Sequence, residues 1–261
     1  MDDRFSIRRV LGALGRILKA HWAGLLAVLV ALALGRTGLE QLFDLAPRGF
    51  HADEVIWPTA TSFMRVALTA LLTSAFLRCV LVGVRNWKTS TRAALTSFPA
   101  VYGVLLLVTL PNMVGEALST AAVAMSVAAD APMQDVAWIK LKIGLTASLV
   151  SLSLYALISP GVAIAVKETP SLATALASAL RLTRKRRFRI VLIEFTSIVL
   201  TAVILAAAMS LPLLTLEAPR ALNIIPLIRA VLDSLFIGLE MLMMAAIYQE
   251  LRRTRPLQAT A

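Results

Sequence analysis

Six ionisable side chains stand inside long apolar runs of this 261-residue chain: Arg65, Arg78, Glu116, Glu194, Asp233 and Glu240. An ionised group in hydrocarbon costs several kcal/mol unless it is paired or reaches water, so these residues carry the most chemical information. Arg65 and Asp233 each lie six residues from one end of their spans, and Glu116 lies near that same end. Arg78 and Glu194 lie about six residues, or ~9 Å, from the opposite end, with Glu240 nearer mid-depth. Pairing Arg65 with Asp233 or Glu116, and Arg78 with Glu194 or Glu240, would fasten helices to one another, the commonest use of shallow ion pairs. A second use is a proton- or cation-sensitive site at Glu240 and Glu194 in an aqueous cavity; a third is snorkelling with no partner. Pro111-Asn112 either kinks its helix or frees backbone carbonyls, as transporter sites do.

Other chemistry is sparse. There is no Walker loop, GxSxG or HExxH motif, so no catalytic residue is assigned. Of the two histidines, His21 reads as an interfacial polar residue. His51, with Asp53 and Glu54, is a weak divalent-cation candidate that chance readily produces, and neither a metal nor a cofactor is expected. The single cysteine, Cys79, excludes an internal disulfide. Met241, Met243 and Met244 fall on different helix faces and read as packing. The basic run of Arg184, Lys185, Arg186 and Arg187, flanked by Arg181 and Arg189, has the density that binds anionic lipid headgroups, and it equally enforces topology. Pinned against a span and without a stacking platform, it does not suit nucleic acid.

The elements that hold these residues are membrane spans. Hydrophobic residues make up 59% of the chain, charged residues 16%, and mean hydropathy is +0.81. Soluble domains have about 45–50% and about 25% respectively, which rules out an ordinary water-soluble globule. At about 20 residues per crossing, six spans fit: 22–39, 59–84, 98–119, 141–166, 189–216 and 227–250. Arg36 interrupts the first, which is short and so either tilts little or lets Arg36 snorkel. That first run follows five basic residues and has the form of a signal peptide as well as that of a retained anchor. The chain is therefore all-α, a single integral membrane domain over residues 1–261.

Lys and Arg decide orientation, because they are retained in the cytoplasm near span ends. The N-terminal arm, residues 85–92, residues 167–189 and the tail carry 18 of them, and the other three connections carry 6. Both termini are thus expected in the cytoplasm. The basic connections also read as interfacial amphipathic helices: Ile7, Leu11, Leu14 and Leu18 form one stripe, and Leu172, Leu176 and Leu180 another. Arg92-Ala93-Ala94-Leu95 repeats the pattern before the third span. Three copies of a surface helix plus a membrane hairpin are inferred, at residues 1–84, 85–166 and 167–250.

A resemblance enters in the third copy. Ala175-Leu176, Leu182-Thr183-Arg184 and Arg187-Phe188-Arg189-Ile190, preceded by Lys167-Glu168, look like the motif Ala-Leu-x-Arg-Ser-x-x-Leu-Thr-Lys-Gly-x-x-Trp-Arg-Ile that opens the fifth span in one bacterial family. The family is named for the membrane domain of glycerophosphoryl diester phosphodiesterases. The tail from Ile247 through Tyr248 to Arg252 resembles its closing Leu-Tyr-x-x-Leu-Arg, and residues 5–22 its amphipathic opening. Ser178-Ala179 stands where that family has Arg-Ser, and Lys185 replaces the glycine. The resemblance implies a six-span protein of the bacterial inner membrane. It does not imply phosphodiesterase activity, because the soluble catalytic barrel of some relatives has no room here. The expected function is a non-enzymatic accessory or scaffold subunit contacting anionic lipid or a membrane-protein partner. The alternative is a small transporter or lipid permease using the buried carboxylates, with an embedded lipid enzyme third for want of a nucleophile and base.

Overall fold

The computed structural model describes residues 5–44, 53–84, 87–128, 132–215 and 218–254. They form eight helices and no strand: α1 Ile7–Asp44, α2 Asp53–Val82, α3 Trp87–Ala128, α4 Met133–Ile158, α5 Pro160–Lys167, α6 Leu172–Thr183, α7 Arg187–Thr215 and α8 Ala218–Arg253. Five stretches among the described residues are long and apolar enough to cross a membrane: Ile7–Leu39, Ala60–Val82, Lys88–Val123, Gln134–Lys167 and Ala230–Arg253. The sequence counts six, and α7 occupies the remaining one.

At 1.5 Å per residue, the 38 residues of α1 and the 42 of α3 would each exceed the ~30 Å hydrocarbon layer. In α1 the helix is broken at His21, whose φ of −127° and ψ of 19° are not helical, one residue before the apolar run that begins at Trp22. In α3, Pro99 separates the basic opening from the span and has no N–H to give the preceding turn. Pro111 lies inside α3, which continues as one helix past it.

The fourth span is the one that divides. Pro160 offers no N–H, and α4 gives way to α5 at Ser159, whose N–H donates to the Tyr155 carbonyl at 2.8 Å. Every residue from Pro160 to Val166 is buried. A Cβ on Gly161 would sit 3.5 Å from the Ala175 carbonyl and the Ala179 Cβ, so small residues let α5 and α6 meet backbone to backbone.

The helices close into a ring, α1 packing on α2, α2 on α3, α3 on α4, α4 on α7, α7 on α8 and α8 on α1. Within it α5 touches α2, α3, α6 and α8, closing the ring at one end. Both described chain ends meet there: the Ser6 N–H donates to Glu250 Oε1 at 3.2 Å, and Arg9 Nε donates to the same oxygen at 2.7 Å. Met241, Met243 and Met244 are all buried in this part of α8, as packing residues should be.

The surface helices have two apolar faces. Val10, Ala13 and Ile17 of α1 are buried on the ring, whereas Ile7, Leu11 and Leu18 of the sequence stripe remain exposed. In α6, Ala175, Ala179 and Leu182 are buried and Leu180 is exposed. Leu14 of α1 and Leu172 and Leu176 of α6 are half-buried and pack against the core, so the stripe legible in the sequence is shared between the protein and its exterior, with Ile7, Leu11, Leu18 and Leu180 on the outer side.

Candidate functional site

The lumen of the ring is a cavity of about 690 Å³ to which all six helices contribute. On α8, Asp233 and Glu240 lie seven residues apart, two turns along one face, with Ile237 between them. On α4, Ser148, Ser151 and Tyr155 form a polar stripe at helical spacing. Arg36 comes from α1, Arg65 and Thr69 from α2, Asn112 from α3 and Phe195 from α7.

Several hydroxyls on this wall are spent on backbone carbonyls, which suits a medium without water. Thr69 Oγ1 donates to the Arg65 carbonyl at 2.8 Å, and Ser151 Oγ crosses to the Val108 carbonyl of α3 at 2.6 Å. The charged groups engage one another. Arg36 Nη1 lies 3.8 Å from Asp233 Oδ2, and Arg36 also acts electrostatically on Glu240. Tyr155 lies in the field of both Glu194 and Glu240, and Glu194 in that of Glu240. The hydroxyl of Tyr155, a residue 7% exposed, and Oε1 of Glu194, 2% exposed, have no hydrogen-bond partner. Leaving such atoms unsatisfied is costly; Tyr155 lines the cavity, and Glu194 lies close enough to Tyr155 to act on it electrostatically.

The structure thus groups Arg65, Asp233 and Glu240 on one wall and sets Glu194 beside them. Glu116 is elsewhere, exposed in a cleft of about 490 Å³ between α3 and α4 with Asn112, Ser119 and Lys140. Arg78 is apart as well: its Nη2 donates to Thr96 Oγ1 of α3 at 3.0 Å, and Glu194 Oε1 meets no donor, so that anticipated pair is replaced. Arg36 lines the cavity, 3.8 Å from Asp233, where α1 packs on α8. Tyr155 was not singled out from sequence, although Ser148, Ser151, Tyr155 and Ser159 fall at i, i+3, i+7 and i+11 in an uncharged span, a stripe that marks a polar-facing side. His51 and the side chains of Asp53 and Glu54 lie outside the described residues.

At the closed end the basic run divides in two. Arg186 Nη2 donates to the Thr254 carbonyl at 3.0 Å, and Arg189 to the Phe5 carbonyl, tying the segment to both chain ends. Arg181, Arg184, Lys185 and Arg187 are exposed. Glu168, past the end of α5, accepts from Tyr248 and from Arg252, and Lys167 Nζ lies 5.7 Å from the Tyr248 ring centre. The motif residues Glu168, Tyr248 and Arg252 therefore meet in one cluster. Compared with protein-family models, curated proteins and solved structures, the chain matches none.

Proposed function

We propose that the chain is a six-crossing protein of the bacterial inner membrane, with α7 as the sixth crossing and both termini cytoplasmic, acting as a non-enzymatic accessory or scaffold subunit on anionic lipid. The observation that carries this is the pair of amphipathic helices α1 and α6: both pack an apolar face on the ring, α1 leaves Ile7, Leu11 and Leu18 exposed, and α6 leaves Leu180 exposed beside Arg181, Arg184, Lys185 and Arg187. Such an exposed side fits the headgroup boundary, with apolar side chains inward and cations on phosphates. The hydrogen bond between Ser6 and Glu250 supports an even number of crossings. Three repeated units, bounded near Gly83 with its φ of 77° and near Lys167, accord with the hairpins α1–α2, α3–α4 and α7–α8. Membership of the family that the motif resembles is part of this reading and rests on the residues quoted for it.

Lipid retained on purification in mild detergent tests it. Each basic side chain contributes about 1 kcal/mol near an anionic surface, so changing Arg184, Lys185 and Arg187 together to Gln should weaken retention of phosphatidylglycerol about a hundredfold. Unchanged retention would overturn it. A small permease is the second reading, favoured by the charged ring cavity.

A further inference from the structure

We propose that the ring cavity binds the headgroup of a zwitterionic phospholipid, phosphate at Arg36 and Arg65 and amine at Glu240, admitted from the bilayer between α4 and α7. The inference rests on the membrane placement above and requires neither a scaffold nor a transport role.

The volume, about 690 Å³, falls within the roughly 300–1,000 Å³ typical of small-molecule sites. Its wall carries both signs of charge. Two guanidiniums, Arg36 and Arg65, suit a phosphate, which Arg recognises through its fixed fork of donors. Two carboxylates, Asp233 and Glu240, stand two turns apart on α8, and the unpartnered Tyr155 hydroxyl lies on the same lining, with the unpartnered Glu194 Oε1 on a carboxylate in the electrostatic reach of both Tyr155 and Glu240. The buried, unsatisfied Tyr155 hydroxyl is a donor or acceptor for a polar group brought into the cavity.

The other ligand classes fit less well. A lipid carrying only negative charge brings no ammonium to Glu240 and would compete with Asp233 for Arg36. A divalent cation lacks its ligands, since no group of three or more His, Cys, Asp or Glu side chains assembles among the described residues. Leu145 and Leu149 of α4 and Phe195 of α7 line the cavity and are 56%, 58% and 48% exposed, so the side where α4 meets α7 offers hydrocarbon contacts that acyl chains would use and a freely soluble solute would not.

The test uses the full chain in mild detergent, titrated calorimetrically with dihexanoyl phosphatidylethanolamine, dihexanoyl phosphatidylglycerol, free phosphoethanolamine and sodium chloride. The phosphatidylethanolamine should bind one per chain, about tenfold or more tighter than the other three. Glu240→Gln and Arg65→Gln should each weaken it about tenfold, the loss of one charge-assisted hydrogen bond, and leave phosphatidylglycerol retention at the surface helices unchanged. Equal affinity for all probes, or binding insensitive to both substitutions, overturns the proposal. Because either variant can fail to fold, the wild-type chain is also photolabelled in native membranes with a phosphatidylethanolamine reactive near its headgroup. Label at residues 145–152 and Phe195 supports the site, and label confined elsewhere sinks it. A C-terminal reporter found outside the cytoplasm would overturn the six-crossing placement without touching these binding results, so the two failures are distinguishable.

Discussion

Glu250 is the most constrained charge at the closed end, almost fully buried while accepting from both Ser6 and Arg9. Removing one partner of such a pair is worse than neutralising it, because a lone carboxylate keeps its desolvation cost. Arg9→Ala should therefore lower stability by about 1–3 kcal/mol, and Glu250→Gln, which retains an acceptor for both donors, by less. Thermal unfolding of the purified protein in detergent checks the order, and the reverse order would contradict this account. Glu168 poses the same problem with two donors, Tyr248 and Arg252. Tyr248→Phe removes one neutral donor and should cost about 1 kcal/mol, measured in the same way. These residues were visible in the sequence only as parts of a motif. Their joint attachment to Glu168 spans 80 residues or more of chain and follows from no local spacing.

Among the elements, the α3–α4 contact depends on a missing side chain. A Cβ at Gly115 would come within 2.5 Å of the Ala147 Cβ, closer than two carbons can approach. Gly115→Ala should thus part the helices and cost about 1–3 kcal/mol, and Ala147→Gly should recover most of it. A double-mutant cycle on detergent unfolding measures the coupling, and strictly additive effects would count against the contact. Element boundaries were partly legible. His21 was placed at the membrane interface from its position after the basic arm, and there the helix breaks. The division at Ser159 has its cause in Pro160, whereas Pro111, the kink candidate in the sequence, is absorbed by α3 as a single continuing helix. A proline's effect depends on whether neighbouring helices re-satisfy the freed carbonyl, and the sequence does not say which neighbours there are.

For the whole molecule, orientation is the governing claim. Cys79, beside Arg78 toward the closed end, donates to Ser90 Oγ at 3.4 Å and is the only thiol. An impermeant maleimide should label it in inverted vesicles and not in intact spheroplasts; the opposite pattern would reverse the topology. The amino-acid sequence by itself determined the class: hydrophobic runs of spanning length, basic residues gathered on alternate connections, and amphipathic stretches in those connections. Those follow from transfer to lipid and from retention of cations, both properties of short segments. Only the tertiary structure decided that the helices close into a ring, that α5 stops one end, and that Arg36, Arg65, Tyr155, Asp233 and Glu240 share a lumen. Lipid is as apolar as leucine, so a span carries no strong signal for which side faces the bilayer and which faces its neighbours. That rotation is set by small-residue contacts and buried polar pairs between helices far apart in the chain.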